Sequence, residues 1–163
     1  RPRPEVNALF ALLRSYLADE TQRLREQGIR LTAIGRRDRI PKSLTAAIEA
    51  AEAATSSGRD LHLRIAVDYS SREAIARAAR RMSNRSSAPR EDLGRILSMP
   101  DVDLLIRTGG EQRLSDFLLW EAAYAELVFL TVPWPEFARE DLQGALTEFA
   151  RRGRRFGGVA AAV

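Results

Sequence analysis

Apolar positions along the chain follow two different periods. Four short runs rich in β-branched residues, Ile29 to Gly35, Leu61 to Tyr69, Val102 to Thr108 and Leu127 to Val132, are bounded by polar or turn-forming residues and predict strands. The stretches between them place apolar residues at helical spacing. That alternation predicts an α/β fold, a mostly parallel sheet flanked by helices. Ahead of the first run, Val6, Leu9, Phe10, Leu13, Leu17 and Leu24 fall near one stripe of a long helix that starts at Pro4 and stops at Gly28. Pro41 opens a second helix that ends at Ser56-Ser57-Gly58, and Ser71 is placed to N-cap a third running toward Met82. A shorter helix opens near Asp92, Ser115 is placed to cap another through Trp120 and Tyr124, and the last spans about Ala138 to Arg152. Ser83 to Arg90 has no apolar anchor and reads as a mobile surface loop, and Val159 to Val163 as a frayed tail. Doubly wound sheets usually carry more than four strands, so an N-terminal strand or two is expected outside this sequence.

Composition narrows the chemistry. The 163 residues suit one domain spanning 1–163, N-terminally incomplete, and no apolar run is long enough to cross a bilayer. The start, Arg1 to Glu5, has no secretory-signal features, and a cytoplasmic protein is expected. The absence of cysteine and the single His62 exclude disulfides, thiolate metal sites and multi-histidine zinc centres. Any metal must therefore be held by oxygen, which points to Mg²⁺. His62, within an apolar strand, reads as a packing residue. A net charge of +4 and a pI near 10.3 call for an acidic partner, and Lys42 is the only lysine, so the positive charge is nearly all arginine.

In open α/β sheets ligands lie beyond the carboxyl ends of the strands, and here those positions are cationic. Arg36, Arg37 and Arg39 follow the first run, Tyr69-Ser70-Ser71-Arg72 the second, and Arg107-Thr108-Gly109-Gly110-Glu111-Gln112-Arg113-Leu114-Ser115 the third. Most of the basic residues read as a solvated surface. In the third group the glycines allow close backbone approach, and Arg107, Arg113 and Ser115 can converge on one anion near a helix N-terminus. Two readings stay open on spacing alone, a diphosphate pocket and a ligand-free Gly-Gly turn. Glu111 and Glu126 are the carboxylates nearest this cluster. Glu126 reads either as a strand-edge salt bridge or as a Mg²⁺ ligand. Trp120, Trp134 and Phe137 read as core or interface aromatics.

The block Asp103 to Trp120, with Ala123-Tyr124-Ala125-Glu126-Leu127 and Pro133-Trp134-Pro135-Glu136-Phe137, closely resembles the cis-prenyltransferase family, typified by undecaprenyl diphosphate synthase. The resemblance extends upstream through Arg1-Pro2, Glu5-Val6, Ile29 to Gly35 and Ala66 to Arg72, and downstream to Arg154-Arg155-Phe156-Gly157-Gly158. It implies that fold and a Mg²⁺-dependent enzyme condensing isopentenyl diphosphate with an allylic diphosphate, such as farnesyl diphosphate, into a cis-polyprenyl diphosphate. It implies catalytic roles for Glu111 and Glu126, with Glu126 also binding the metal, and substrate contacts from Arg1, Arg72, Arg107, Arg113, Ser115, Arg155 and Gly157. Leu9, Phe10 and Leu13 would line the tunnel for the growing chain. A homodimer and peripheral membrane association for product release complete the expectation, with no nucleic-acid partner.

Three departures accompany the resemblance. The sequence starts downstream of the family's Asp-Gly-Asn segment, whose aspartate helps ionise the allylic diphosphate. Asp68-Tyr69-Ser70-Ser71-Arg72 stands for the family's Asn-Tyr-Gly-Gly-Arg, and Arg36 stands where the family has an aspartate. Competing readings are a divergent short-chain or irregular prenyl diphosphate synthase and a non-catalytic partner subunit. A nucleic-acid-binding module, motivated by pI alone, is the third.

Overall fold

The computed structural model describes residues 2–82 and 89–152, and contacts divide the chain into two compact units between Tyr69 and Ser70. In the first unit, helix α1 (Arg3–Glu26) leads to strand β1 (Ile29–Ile34), helix α2 (Lys42–Ala54) and strand β2 (Leu61–Ala66). β1 and β2 pair in parallel, Ile29 opposite Leu61 through Ile34 opposite Ala66. Leu17 and Leu24 of α1, Leu31 of β1, Leu44, Ile48 and Ala51 of α2, with Ile40 and Val67, form the core, and Phe10 and Leu13 pack on it half-buried. Such burial of a Leu or Ile side chain contributes about 1.5–3 kcal/mol each.

The apolar stripe of α1 is narrower than its sequence suggests. Leu9 is 46% exposed, and with Leu12 and Tyr16 it forms a second, outward stripe. The free edge of β1 is covered by side chains. The Leu31 N–H donates to Thr55 Oγ1 at 3.0 Å, and the Ala33 N–H donates to Glu52 Oε1 at 2.8 Å. Backbone donors that a third strand would have taken are thus satisfied from α2.

In the second unit, α3 (Ser71–Arg81) packs with α4 (Pro89–Leu97), and the parallel pair β3 (Leu104–Arg107) and β4 (Glu126–Phe129) packs with α5 (Arg139–Arg151). Leu105, Leu118, Ala122, Val128, Ala78 and Ala145 are buried. A short 3₁₀ turn, Trp134–Glu136, stacks Trp134 on Phe137 with ring centroids 5.5 Å apart.

Strands and helices fall where the hydrophobic periods put them, with four corrections. The strands pair as two separate two-stranded ladders among the described residues. The cap of α3 is Ser70, whose hydroxyl accepts from the Glu73 N–H, while Ser71 is 1% exposed inside the helix start. The stretch expected to be a helix after Ser115 is a series of turns, because Ser115 (φ 47°), Asp116 (φ 68°) and Leu118 (φ 48°) all adopt left-handed backbone. Finally, His62 is exposed rather than packed, with its Nε2 2.9 Å from Thr32 Oγ1. Most of the expected loop and all of the expected frayed tail, residues 83–88 and 153–163, lie outside the described residues.

Candidate active site

β3 ends at Arg107, and the chain turns back along the end of β4. The Leu130 N–H donates to Arg107 O at 2.8 Å, Gly109 N–H to Val132 O at 2.8 Å and Gly110 N–H to Leu130 O at 2.9 Å. Gly109 (φ 88°) and Gly110 (φ 79°) provide the left-handed conformation this turn needs. A Cβ on either would meet nothing within 4 Å, so the space above them is open. Both glycine N–H groups already bond to the segment after β4 and no helix starts at Ser115, so neither those amides nor a helix terminus is left to hold an anion.

Arg107 and Ser115 meet there side chain to side chain, and Arg113 joins them through its backbone carbonyl. The Arg107 guanidinium donates to the Arg113 carbonyl and, at 3.2 Å, to Ser115 Oγ. Arg113 is 63% exposed and ion-paired with Glu111, which is 49% exposed. Arg72 enters through Asp116, whose Oδ1 accepts from the Arg72 N–H at 2.8 Å and whose Oδ2 accepts from Ser70 Oγ at 2.6 Å. The Ser70 hydroxyl, and second the Arg72 N–H, hold the Asp116 carboxyl below the usual carboxylate range. The structure therefore links Arg107 to Ser115 by side chain, Arg113 and Arg72 to the same loop by backbone, and Glu111 through its pair with Arg113.

Glu126 is not part of it. It opens β4 opposite Leu104, whereas Arg107 lies opposite Phe129 at the far end of the pair, about 10 Å along the strand at ~3.3 Å per residue. Glu126 Oε2 accepts from Arg152 Nη1 at 3.0 Å, and the same nitrogen donates to Leu127 O at 3.0 Å. Arg152 also pairs with Glu148. Hydrogen bonds from Glu126 first and Glu148 second raise the Arg152 pKa further. Among the described residues no three His, Cys, Asp or Glu side chains group to hold a metal ion. A single carboxylate still fits magnesium, which takes its remaining oxygens from water and a diphosphate.

In the first unit, the ends of β1 and β2 are tied by arginine. Arg39 forks onto Asp68 with both contacts at 2.7 Å, and Asp68 itself has φ 48°. Gly35, at φ 119°, lies so near Val67 that a Cβ would stand 2.0 Å from its carbonyl oxygen. Arg36 pairs with Asp38, and that hydrogen bond above all lowers the Asp38 carboxyl to about 2. Phe10 lines a cleft of about 220 Å³ between α1 and the start of α2. Arg1, Arg155 and Gly157 lie outside the described residues. The sequence pattern described as putative undecaprenyl diphosphate synthase matches residues 1–157. The chain belongs to that family.

Isoprenyl transferase 1 of Bradyrhizobium diazoefficiens is 56% identical over 99% of this chain and 67% of its own length. The isoprenyl transferase of Aquifex pyrophilus is 45% identical over 98% of this chain and 71% of its own. A probable undecaprenyl diphosphate synthase from Campylobacter jejuni superposes with a TM-score of 0.87 at 32% identity, covering 96% of this chain and 76% of that one. Lavandulyl diphosphate synthase from Lavandula x intermedia, solved with dimethylallyl diphosphate, gives 0.87 at 34% identity over 96% and 73%. The fold is the α/β fold of cis-prenyltransferases, and the chain is of the prenyltransferase enzyme class.

Asp116, Ser70 and Arg152 are the contributors that sequence reasoning left without a role. Asp116 stands inside the family-like block, yet no spacing rule links it to Ser70, which lies 46 residues earlier in the chain. Left-handed backbone at a non-glycine residue has no sequence signature.

Proposed function

We propose that this prenyltransferase lengthens an allylic diphosphate, such as farnesyl diphosphate, with isopentenyl diphosphate to give a cis-polyprenyl diphosphate. The observation that supports it most is the Arg107 guanidinium bound to Ser115 Oγ and to the Arg113 backbone carbonyl beyond the end of β3, which sets Arg107, Arg113 and Ser115 side by side. Two guanidinium groups and a hydroxyl match the geometry and charge of a diphosphate, and the open space above Gly109 and Gly110 leaves room for it. Arg72 adds positive charge from the start of α3.

In this reading the cluster holds isopentenyl diphosphate with its double bond toward the allylic carbon. The allylic C–O bond breaks, a new C–C bond forms to the terminal alkene carbon, and a proton leaves to restore a double bond. Diphosphate is released. Glu126, at the other end of the β3–β4 pair from the arginine cluster, would hold magnesium, which when bound would supply charge neutralisation to the allylic diphosphate. Glu111 keeps the Arg113 fork oriented between turnovers. Phe10 and Leu13, with the outward Leu9, would face the growing chain, and Arg1, Arg155 and Gly157 would reach the diphosphates as the family likeness implies. A cytoplasmic homodimer belongs to the same proposal.

Arg107→Ala and Arg107→Lys test it. Charge-assisted hydrogen bonds contribute about 1.5–3 kcal/mol each, so Arg107→Ala should lower kcat/KM for isopentenyl diphosphate by roughly 10- to 150-fold. Lysine, which lacks the fork, should recover only part of that. Incorporation of labelled isopentenyl diphosphate unchanged in both variants would remove the assignment.

A further inference from the structure

We infer that Asp116 is a positioning residue for the isopentenyl diphosphate site, stapling the turn that carries Arg113 and Ser115 to the start of α3, which carries Arg72. The inference rests on the function proposed above and adds a residue to it. Left-handed backbone at Ser115, Asp116 and Leu118 is unfavourable for side-chain-bearing residues and persists only where neighbours over-determine it. Here they do so from two directions. Arg107 binds the Arg113 carbonyl and the Ser115 hydroxyl from the β3 side. From the α3 side, Asp116 accepts from Ser70 Oγ and the Arg72 N–H through its carboxylate, and from the Ser71 N–H through its carbonyl at 3.0 Å. Ser71 Oγ in turn accepts from the Leu119 N–H at 2.9 Å.

The staple has a second consequence. The carboxylate occupies the positive end of α3, so an incoming phosphate meets the arginine side chains rather than the helix terminus. Ser70 serves both sides, accepting from the Glu73 N–H at 3.1 Å while donating to Asp116. Without Asp116 the turn loses its grip on α3, and Arg72, Arg113 and Ser115 no longer share one fixed frame. The effect should fall on isopentenyl diphosphate and spare the allylic partner.

The test is steady-state kinetics of Asp116→Ala, Asp116→Asn and Ser70→Ala with both substrates, beside Arg107→Ala, each checked for folding by thermal unfolding. Asp116→Ala should raise KM for isopentenyl diphosphate about tenfold while KM for the allylic diphosphate moves less than about threefold. Asparagine, whose carbonyl oxygen still accepts from the Arg72 N–H, should return KM to within about threefold of the parent. Ser70→Ala, which leaves Asp116 in place, should shift KM in the same direction by less, and this carries the test if Asp116→Ala does not fold. Normal KM for isopentenyl diphosphate in folded Asp116→Ala or Ser70→Ala, or equal rises for both substrates without rescue by asparagine, overturns the staple. If Arg107→Ala is also normal, the proposed function fails with it; if Arg107→Ala alone is impaired, only the staple fails.

Discussion

Replacing Thr55 by valine should destabilise the protein although it changes almost no volume. Thr55 is 0% exposed, and Leu31, which it serves, is 1% exposed. Its Oγ1 accepts from the Leu31 N–H at 3.0 Å and donates to Ala51 O at 2.8 Å. Ala51 O keeps a second partner in the Thr55 N–H at 3.1 Å, so the lasting loss is the Leu31 donor, stranded on the covered edge of β1. A buried donor left without an acceptor costs about 1–3 kcal/mol. Taking about 2 kcal/mol, Tm should fall by roughly 4–8 °C for a chain of this length. Urea unfolding should give a lower midpoint with an unchanged m value. Thr55→Ser keeps the hydroxyl and loses one methyl, so it should cost only about 0.8 kcal/mol. If Thr55→Val were as stable as the parent, or more stable than Thr55→Ser, the covering of the β1 edge would not be what holds it.

Two further outcomes follow from charge. Asp38, held at about 2 by its Arg36 hydrogen bond, and Asp116, lowered mainly by Ser70, both lie below the ordinary 3.8 in the folded protein. The unfolded chain therefore binds more protons in acid, so their stabilisation is full above about pH 4 and is lost as pH falls, for Asp38 toward about 2. Asp38→Asn and Asp116→Asn should each flatten stability against pH in that window and leave the slope between pH 7 and 5 unchanged; slopes equal to the parent's in acid would contradict the hydrogen-bond assignment. On the proposed function, Glu126→Gln should raise the magnesium concentration needed for half-maximal turnover, whereas Arg152→Ala should change stability little, its pair being partly exposed. An unchanged magnesium requirement in Glu126→Gln would remove it from the metal site.

The fold was legible where period and composition coincide. β-branched runs such as Ile29 to Ile34 and the Ala-rich, Pro-started α2 have one reading each, and both occur close to their expected limits. That Arg107 and Ser115 lie together beside Arg113 was also legible, because a strand, two glycines and two arginines are adjacent in the chain. Other features had no local signal. The turns after Ser115 sit in a sequence that a helix would also accept, and only bonds to α3 and Arg107 select the left-handed backbone. Glu126 was expected beside the arginine cluster because it follows soon after in sequence. The parallel register instead puts it at the opposite end of β3–β4, since a strand entering parallel must begin where its neighbour began.

Both units solve the same problem with ordinary polar residues. A two-stranded ladder leaves backbone groups that neither strand can satisfy, and water is excluded where helices pack over them. In the first unit Thr55 and Glu52 reach from α2 to the β1 edge; in the second, Ser71 and Asp116 exchange bonds between α3 and the turn beyond β3. Such residues hold backbone that has no alternative partner, whereas an exposed arginine can be replaced in function by water. Polar-to-apolar changes at Thr55, Glu52, Ser71 and Asp116 should therefore harm folding or site geometry more than removal of surface charge, even though nothing in their sequence context marks them. The glycines divide differently. Gly35 is required because Val67 leaves no room for a Cβ, whereas Gly109 and Gly110 are required for backbone conformation alone, and it is that unfilled space above them which the proposed diphosphate would occupy.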